Sequence, residues 1–260
     1  MPIFEIKKTD VIVRNENGKL VTVVKKNAVD SFNEDILGLG KIETKSIQKS
    51  ALSVIFDLEG FTNFCKQIDP QLEVPEYLSE FLSWIFSQIR KEVISKTYAD
   101  GYGLYSSLPF LSKYLGDGLL FLWDTEHMDD TEMLNIIISM SEICDKYVSE
   151  FLPTITNKLT SPPTMLRCGI ARGIIYSVGN GNDFVGPCIN MSARLQKLNS
   201  LPFCFSRRGL NPEKFEEVTR KLFVTKKVDI RGIGSEELIC CFKKEFEKLL
   251  PEDKSKFKSV

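Results

Sequence analysis

A chain of 260 residues, 43% hydrophobic and 27% charged, is long enough to bury one sizeable core with a small appendage but hardly two full domains. Its formal net charge of −1 supplies no global positive field for nucleic acid or an anionic membrane, while leaving room for a small basic pocket. No run approaches the roughly 20 apolar residues of a membrane-spanning helix, and MPIFEIKKTD lacks the basic-then-apolar order of a signal peptide.

Seven cysteines without a CxxC pair read as buried free thiols, in keeping with a cytoplasmic protein. The one histidine, His127, lies in the acidic stretch DTEHMDD, where a surface loop is expected. His-based zinc sites and Ser-His-Asp chemistry therefore have little support.

In chain order, residues 1–50 read as an accessory arm. Apolar runs at 11–13 and 20–24 flank Asn17-Gly18, a dipeptide suited to the positive φ angles of a tight hairpin. The polar stretch 41–50 reads as a linker. Residues 51–56 form a short apolar strand that stops at Asp57, and Gly60 breaks the pattern. Leu78, Phe81, Leu82, Ile85, Phe86 and Ile89 recur at helical spacing, giving one core-facing stripe.

A Gly- and Ser-containing loop follows at 100–108. Two apolar strands then flank Gly116-Asp117-Gly118, a hairpin with a carboxylate at its tip. A second long helix is expected over 130–152 and a strand over 165–170. Strands return at 222–230 and 238–242 before a charged, frayed tail at 244–260. Strands and helices mix without a regular βαβ rhythm, which predicts an α+β fold with a largely antiparallel sheet. The core domain is expected over 51–243.

Alone, an aspartate beside a glycine reads as a turn residue. Asp57 and Asp117 differ in setting: one ends a buried strand, the other tips a hairpin able to lie beside it. Two such carboxylates suit a pair of hard divalent cations.

VIFDLEGFTNF (54–64) and KYLGDGLLFLW (113–123) resemble the two metal motifs of class III nucleotidyl cyclases. DFVGPCINMSARL (183–195) resembles that family's third motif, with Asn190 and Arg194 four apart on one helix face. KVDIRGIGSEELICCF (227–242) resembles its closing strands, where Arg231 stands at the place of a phosphate-binding basic residue. The resemblance spans about residues 51–242 and implies the ferredoxin-like, palm-type sheet of these enzymes.

It further implies that Asp57, Asp117 and the Leu58 carbonyl hold two divalent metals per site, manganese or magnesium. Asn190 would orient the ribose and Arg194 would stabilise charge on the phosphoryl oxygens. The metal half and the Asn/Arg half of each site come from different subunits in this family, so one chain carrying both implies a homodimer with two equivalent sites.

The base would be read at the positions of Lys113 and Asp183. A Lys/Asp pair there resembles adenylate cyclases, yet cytosine offers the same amine and acceptor as adenine. Uracil is satisfied by exchanging the two residues' partners. Phe56 precedes the metal aspartate where the family usually has a small residue. Facing the nucleotide it would narrow the site; facing the core, which strand alternation slightly favours, it would be inert.

No receptor, membrane or sensor motif accompanies these segments. FDLEGFTNFCKQIDP and FVGPCINMSARLQKL look like the stand-alone bacterial pyrimidine cyclases of antiphage defence. That likeness places UTP, or CTP, first as substrate and implies a separate effector that responds to the cyclic nucleotide. ATP is the alternative substrate, and a catalytically dead nucleotide-binding scaffold the alternative role. The scaffold is disfavoured because both aspartates and the Asn/Arg pair are present. Glycines 169, 173, 179 and 181 are read evenly as packing and turn residues or as phosphate binders.

Overall fold

The computed structural model describes residues 4–97, 103–105, 107–198 and 200–260. The chain divides into two units, Met1–Gln48 with Tyr176–Val185, and Lys49–Ile175 with Gly186–Val260. In the first, strands β1 (Val11–Glu16) and β2 (Lys19–Val24) pair antiparallel about Asn17 (φ 53°) and Gly18 (φ 82°), followed by the short helix α1 (Lys26–Asp30). Positive φ at both central residues is what a type I′ hairpin requires.

The stretch read as a linker is stitched down within this unit. Ile47 N–H donates to Ser177 Oγ at 2.8 Å, and the Asn180 and Ser177 amides donate to the carbonyls of Leu39 and Ile47. Gly179 (φ 59°) and Gly181 (φ 84°) make the turn at 178–183. The arm therefore includes a later return of the chain, which composition alone does not announce.

The larger unit is built on β3 (Gln48–Glu59), α2 (Phe61–Phe64), α3 (Pro70–Glu92), β4 (Ile94–Thr97), β5 (Gly103–Tyr105), β6 (Leu111–Tyr114) and β7 (Gly118–Asp124). Helix α4 (Asp130–Lys146) begins at a capping box between Asp129 and Glu132 and runs through a π-helical turn into α5 (Leu152–Thr156). Then come β8 (Met165–Val178), whose last three residues belong with β9 (Asp183–Val185) to the smaller unit, and α6 (Pro187–Leu195), β10 (Phe203–Ser206) and α7 (Glu217–Arg220). Strands β11 (Phe223–Ile230) and β12 (Gly234–Phe242), helices α8 (Lys243–Lys248) and α9 (Pro251–Lys254), and β13 (Phe257–Lys258) close the chain. The loop expected at 100–108 lies partly outside the described residues.

The main sheet runs β13-β11-β12-β10-β8-β3-β7-β6, and β9 pairs antiparallel with the end of β8. Its described pairings are antiparallel apart from β8 with β10, the two strands joined through α6. A parallel neighbour needs such a crossover.

Side chains alternate across the sheet. Leu52, Val54, Phe56 and Leu58 of β3, with Leu119, Phe121 and Trp123 of β7, face the core formed with Tyr77, Phe81 and Ile85 of α3 and Ile137 and Met140 of α4. Ser53, Ile55 and Asp57 take the opposite face, the one covered by α6.

The tail departs from the frayed end that its charge predicts. β13 pairs with β11, Phe257 is buried, and Phe246 meets it edge-on at 5.3 Å. Two aromatic rings anchor an otherwise charged segment, the buried Phe257 contributing on the order of 1.5–3 kcal/mol and the half-buried Phe246 less.

Candidate active site

Asp57 and Gly118 are directly opposed in the β3–β7 ladder, and the Leu58 amide donates to the Asp117 carbonyl at 3.1 Å. Asp117 sits in the two-residue turn between β6 and β7, closed by Leu115 N–H to Gly118 O at 2.8 Å. Gly116, at φ 85°, takes the first central position, where a II′ turn wants glycine. A Cβ at Gly118 would run into the Phe56 carbonyl, so glycine permits the close approach that sets the two aspartates side by side.

Asp57 is 6% exposed. Burial pushes its carboxyl above the usual range; the Lys197 contact and Arg167 pull it back, and the neighbouring Asp117 charge adds to the rise. Lys197 Nζ lies 3.1 Å from Asp57 Oδ1, while Arg167 is engaged by Glu59. Asp117 makes no side-chain hydrogen bond or ion pair among the described residues. Tyr114 lies nearby, its hydroxyl pushed up by burial and then by the Asp117 and Cys65 charges. Lys113 faces Leu120 across β6–β7 and so shares the Asp57 face of the sheet.

Helix α6 is seated by small residues. A Cβ at Gly169 would collide with the Ser192 carbonyl and the Gln196 amide, and one at Gly173 would press on Cys188. Ser53 and Ser192 share a buried hydrogen bond of 2.6 Å between β3 and α6. Gly169 and Gly173 are thus packing glycines.

Asn190 and Arg194 stand exposed on α6, and Lys197 is exposed in the turn just beyond it. Asn190 borders a cleft of about 390 Å³ that also involves Arg172, Ser206, Arg208 and the turn Gly232–Ile233. The two arginines are already held, Arg172 by the Gly209 carbonyl and Arg208 by Glu237. Arg231 is exposed at the head of that turn. Among the described residues, the side chains of Asn190, Arg194 and Arg231 make no hydrogen bond or ion pair. None is tied to Asp57 or Asp117 within one chain.

One sequence candidate falls elsewhere. Phe56 is fully buried and packs edge-on against Phe121 at 6.2 Å, in the core and not on the Asp57 face. Its place among nucleotide-contacting residues is corrected accordingly, for the reason of strand parity. Asp183 lies on β9 of the smaller unit, opposite Val178, with its carboxylate accepting from the Phe184 amide at 2.9 Å. Lys197 is the residue that sequence reading passed over, although its place three beyond Arg194 carries the signal.

A pair of carboxylate oxygens, one buried against a cation and the other open, fits hard divalent ions. Among the described residues no group of three or more His, Cys, Asp or Glu gathers as a metal site. A two-carboxylate site suits a metal that takes its remaining ligands from substrate phosphates and water. No helix among the described residues is long and apolar enough to cross a membrane.

No family model matches the sequence. No curated protein matches it either. Solved structures do. The fold is similar to the adenylyl cyclase CyaB from P. aeruginosa, with TM-score 0.55 and 12% identity over 76% of this chain and 95% of that one. It is likewise similar to the guanylyl cyclase Cya2, with TM-score 0.55 and 15% identity over 76% and 94%. A bacterial light-regulated adenylyl cyclase follows, with TM-score 0.53 and 13% identity over 84% of this chain and 61% of that one. The chain has the α+β fold of class III cyclase catalytic domains.

Proposed function

We propose that this chain is a homodimeric cyclase converting a nucleoside triphosphate to its 3′,5′-cyclic monophosphate and pyrophosphate. The observation that carries the reading is the adjacency of Asp57 and Asp117 on paired strands, within a fold shared with cyclases. Asp57, Asp117 and the Leu58 carbonyl would hold two manganese or magnesium ions, which supply activation of the ribose hydroxyl and charge neutralisation on the phosphates.

The ribose 3′-oxygen attacks the α-phosphorus in line, loses its proton, and pyrophosphate leaves. Asn190 orients the ribose. Arg194 donates to the phosphoryl oxygens as their negative charge grows, and Arg231 steadies the outer phosphates. Asn190 and Arg194 act on the metal aspartates' substrate from a second copy of the chain. Their exposure, and their lack of any tie to those aspartates within one chain, support that division.

The sequence likeness to stand-alone bacterial pyrimidine cyclases puts UTP or CTP first as substrate, with Lys113 and Asp183 reading the base. The product would act as a second messenger on a separate effector in antiphage defence. ATP is the second reading, favoured by the adenylyl cyclases among the solved neighbours.

Incubating the purified protein with each nucleoside triphosphate and Mn²⁺, then identifying products by mass spectrometry, tests both levels. Cyclic UMP or cyclic CMP is expected. Cyclic AMP alone would move the substrate to ATP, and no cyclic product from any nucleotide would overturn the activity.

A further inference from the structure

The contact least explained by a substrate-free cyclase site is the one between Asp57 and Lys197. Asp57 is nearly sealed from solvent on the face beneath α6, with Asp117 adding a like charge beside it. Arg167, whose charge also reaches Asp57, is engaged by Glu59. The Lys197 ammonium, 3.1 Å away, is therefore the direct partner of the Asp57 carboxylate.

Lys197 sits in the turn that follows α6, where its amide donates to the Arg194 carbonyl at 3.3 Å. α6 is locked to β3 by the Ser53–Ser192 hydrogen bond and to β8 at Gly169. Its side chain is 56% exposed, so a flexible four-carbon stem can carry the charge out to water at little steric cost. A firm base with a movable, strongly hydrated point charge is suited to a contact made to be exchanged.

We propose that Lys197 is an internal counter-cation that a divalent metal must displace from Asp57. It lowers the affinity for free metal and leaves the site to fill when a triphosphate offers the released ammonium another anion. This rests on the metal role proposed for Asp57. The ammonium satisfies a buried carboxylate that would otherwise stand uncompensated, which is costly in the folded chain. It also occupies the approach that metal needs, so metal entry trades one ionic contact for another.

Mn²⁺ binding without nucleotide, read by electron paramagnetic resonance of the free ion, tests the proposal. Lys197→Met is expected to bind Mn²⁺ about tenfold tighter than wild type, as one charge-assisted competitor is removed. Lys197→Arg, which keeps the charge, should stay within about twofold of wild type. Mn²⁺ should also raise the unfolding temperature of Lys197→Met more than that of wild type, because only the variant begins with an unpaired Asp57. Equal affinity in Lys197→Met and wild type, with binding lost in Asp57→Asn, would overturn the role of Lys197 alone. Equal Mn²⁺ binding in Asp57→Asn and wild type would overturn the metal assignment and this proposal with it.

Discussion

Asp57 and Asp117 owe their proximity to two glycines with different duties. Gly116 supplies a positive φ, and Gly118 supplies room against the Phe56 carbonyl. Neither aspartate belongs to the apolar core, so replacing a carboxylate by its isosteric amide should spare the fold. Asp117→Asn is expected to lower turnover by a hundredfold or more, on the scale of losing one preorganised charge-stabilising group. Its denaturation midpoint should remain close to wild type. Arg194→Ala should lose on the order of 10²–10³ in kcat with little change in KM, because the guanidinium is proposed to act where charge develops. Steady-state kinetics of both variants check this, and unchanged turnover in Asp117→Asn would remove the metal assignment.

At the scale of elements, the placement of α6 decides whether Asn190, Arg194 and Lys197 stand where they do. Gly169→Ala puts a methyl group into the Ser192 carbonyl and the Gln196 amide, with no flexible side chain to yield. It should cost on the order of 1–3 kcal/mol in urea unfolding and reduce activity as well.

The ladder between β3 and β7 is tied at its far end by Lys49 and Asp124, 2.6 Å apart. The Lys49 hydrogen bond, helped by the Glu126 amide, holds the Asp124 carboxyl below its usual range. A depressed folded-state pKa gives stability that is present above the unfolded value, near 3.8, and lost as pH falls through the folded one. Asp124→Asn should thus destabilise at neutral pH by only about 0.2–1 kcal/mol, since the pair is about a third exposed. The gap between variant and wild type should close in acid, as thermal unfolding across pH will show.

Much of this scale was legible beforehand. Asn17-Gly18 and Gly116-Asp117 announce hairpins through backbone chemistry that acts locally, and the parity of β3 already sets Phe56 and Asp57 on opposite faces. Other features depend on contacts distant in sequence. β10 is a four-residue run, FCFS, buried throughout and so without the alternation that marks a strand. The tail strand rests on two rings among charges. Lys197 meets Asp57 only because α6 docks on Gly169 and Ser53, which no local pattern encodes.

At the scale of the molecule, a single chain carries both halves of the proposed chemistry without joining them. Asp57 and Asp117 lie together at the β3–β7 end, while Asn190, Arg194 and Arg231 present side chains with no hydrogen bond or ion pair among the described residues. The proposed two-fold assembly would resolve this, each copy lending its Asn/Arg half to the other's aspartates. Activity should then fall with dilution as dimers dissociate, and specific activity measured across protein concentrations will show a steep decline for a weak dimer. That pairing would also explain how one sequence can keep both sets of groups with no contact between them in one chain.

The most direct measurement mixes two inactive proteins, Asp57→Asn and Arg194→Ala, and follows cyclic nucleotide formation. In a mixed dimer one site carries both lesions and the other carries neither. Random pairing of equal amounts makes half the dimers mixed, so about a quarter of wild-type activity should return. Recovery near that level is the result predicted for shared sites that need both groups. A mixture as inactive as its components, or substantial activity in either variant alone, would contradict it.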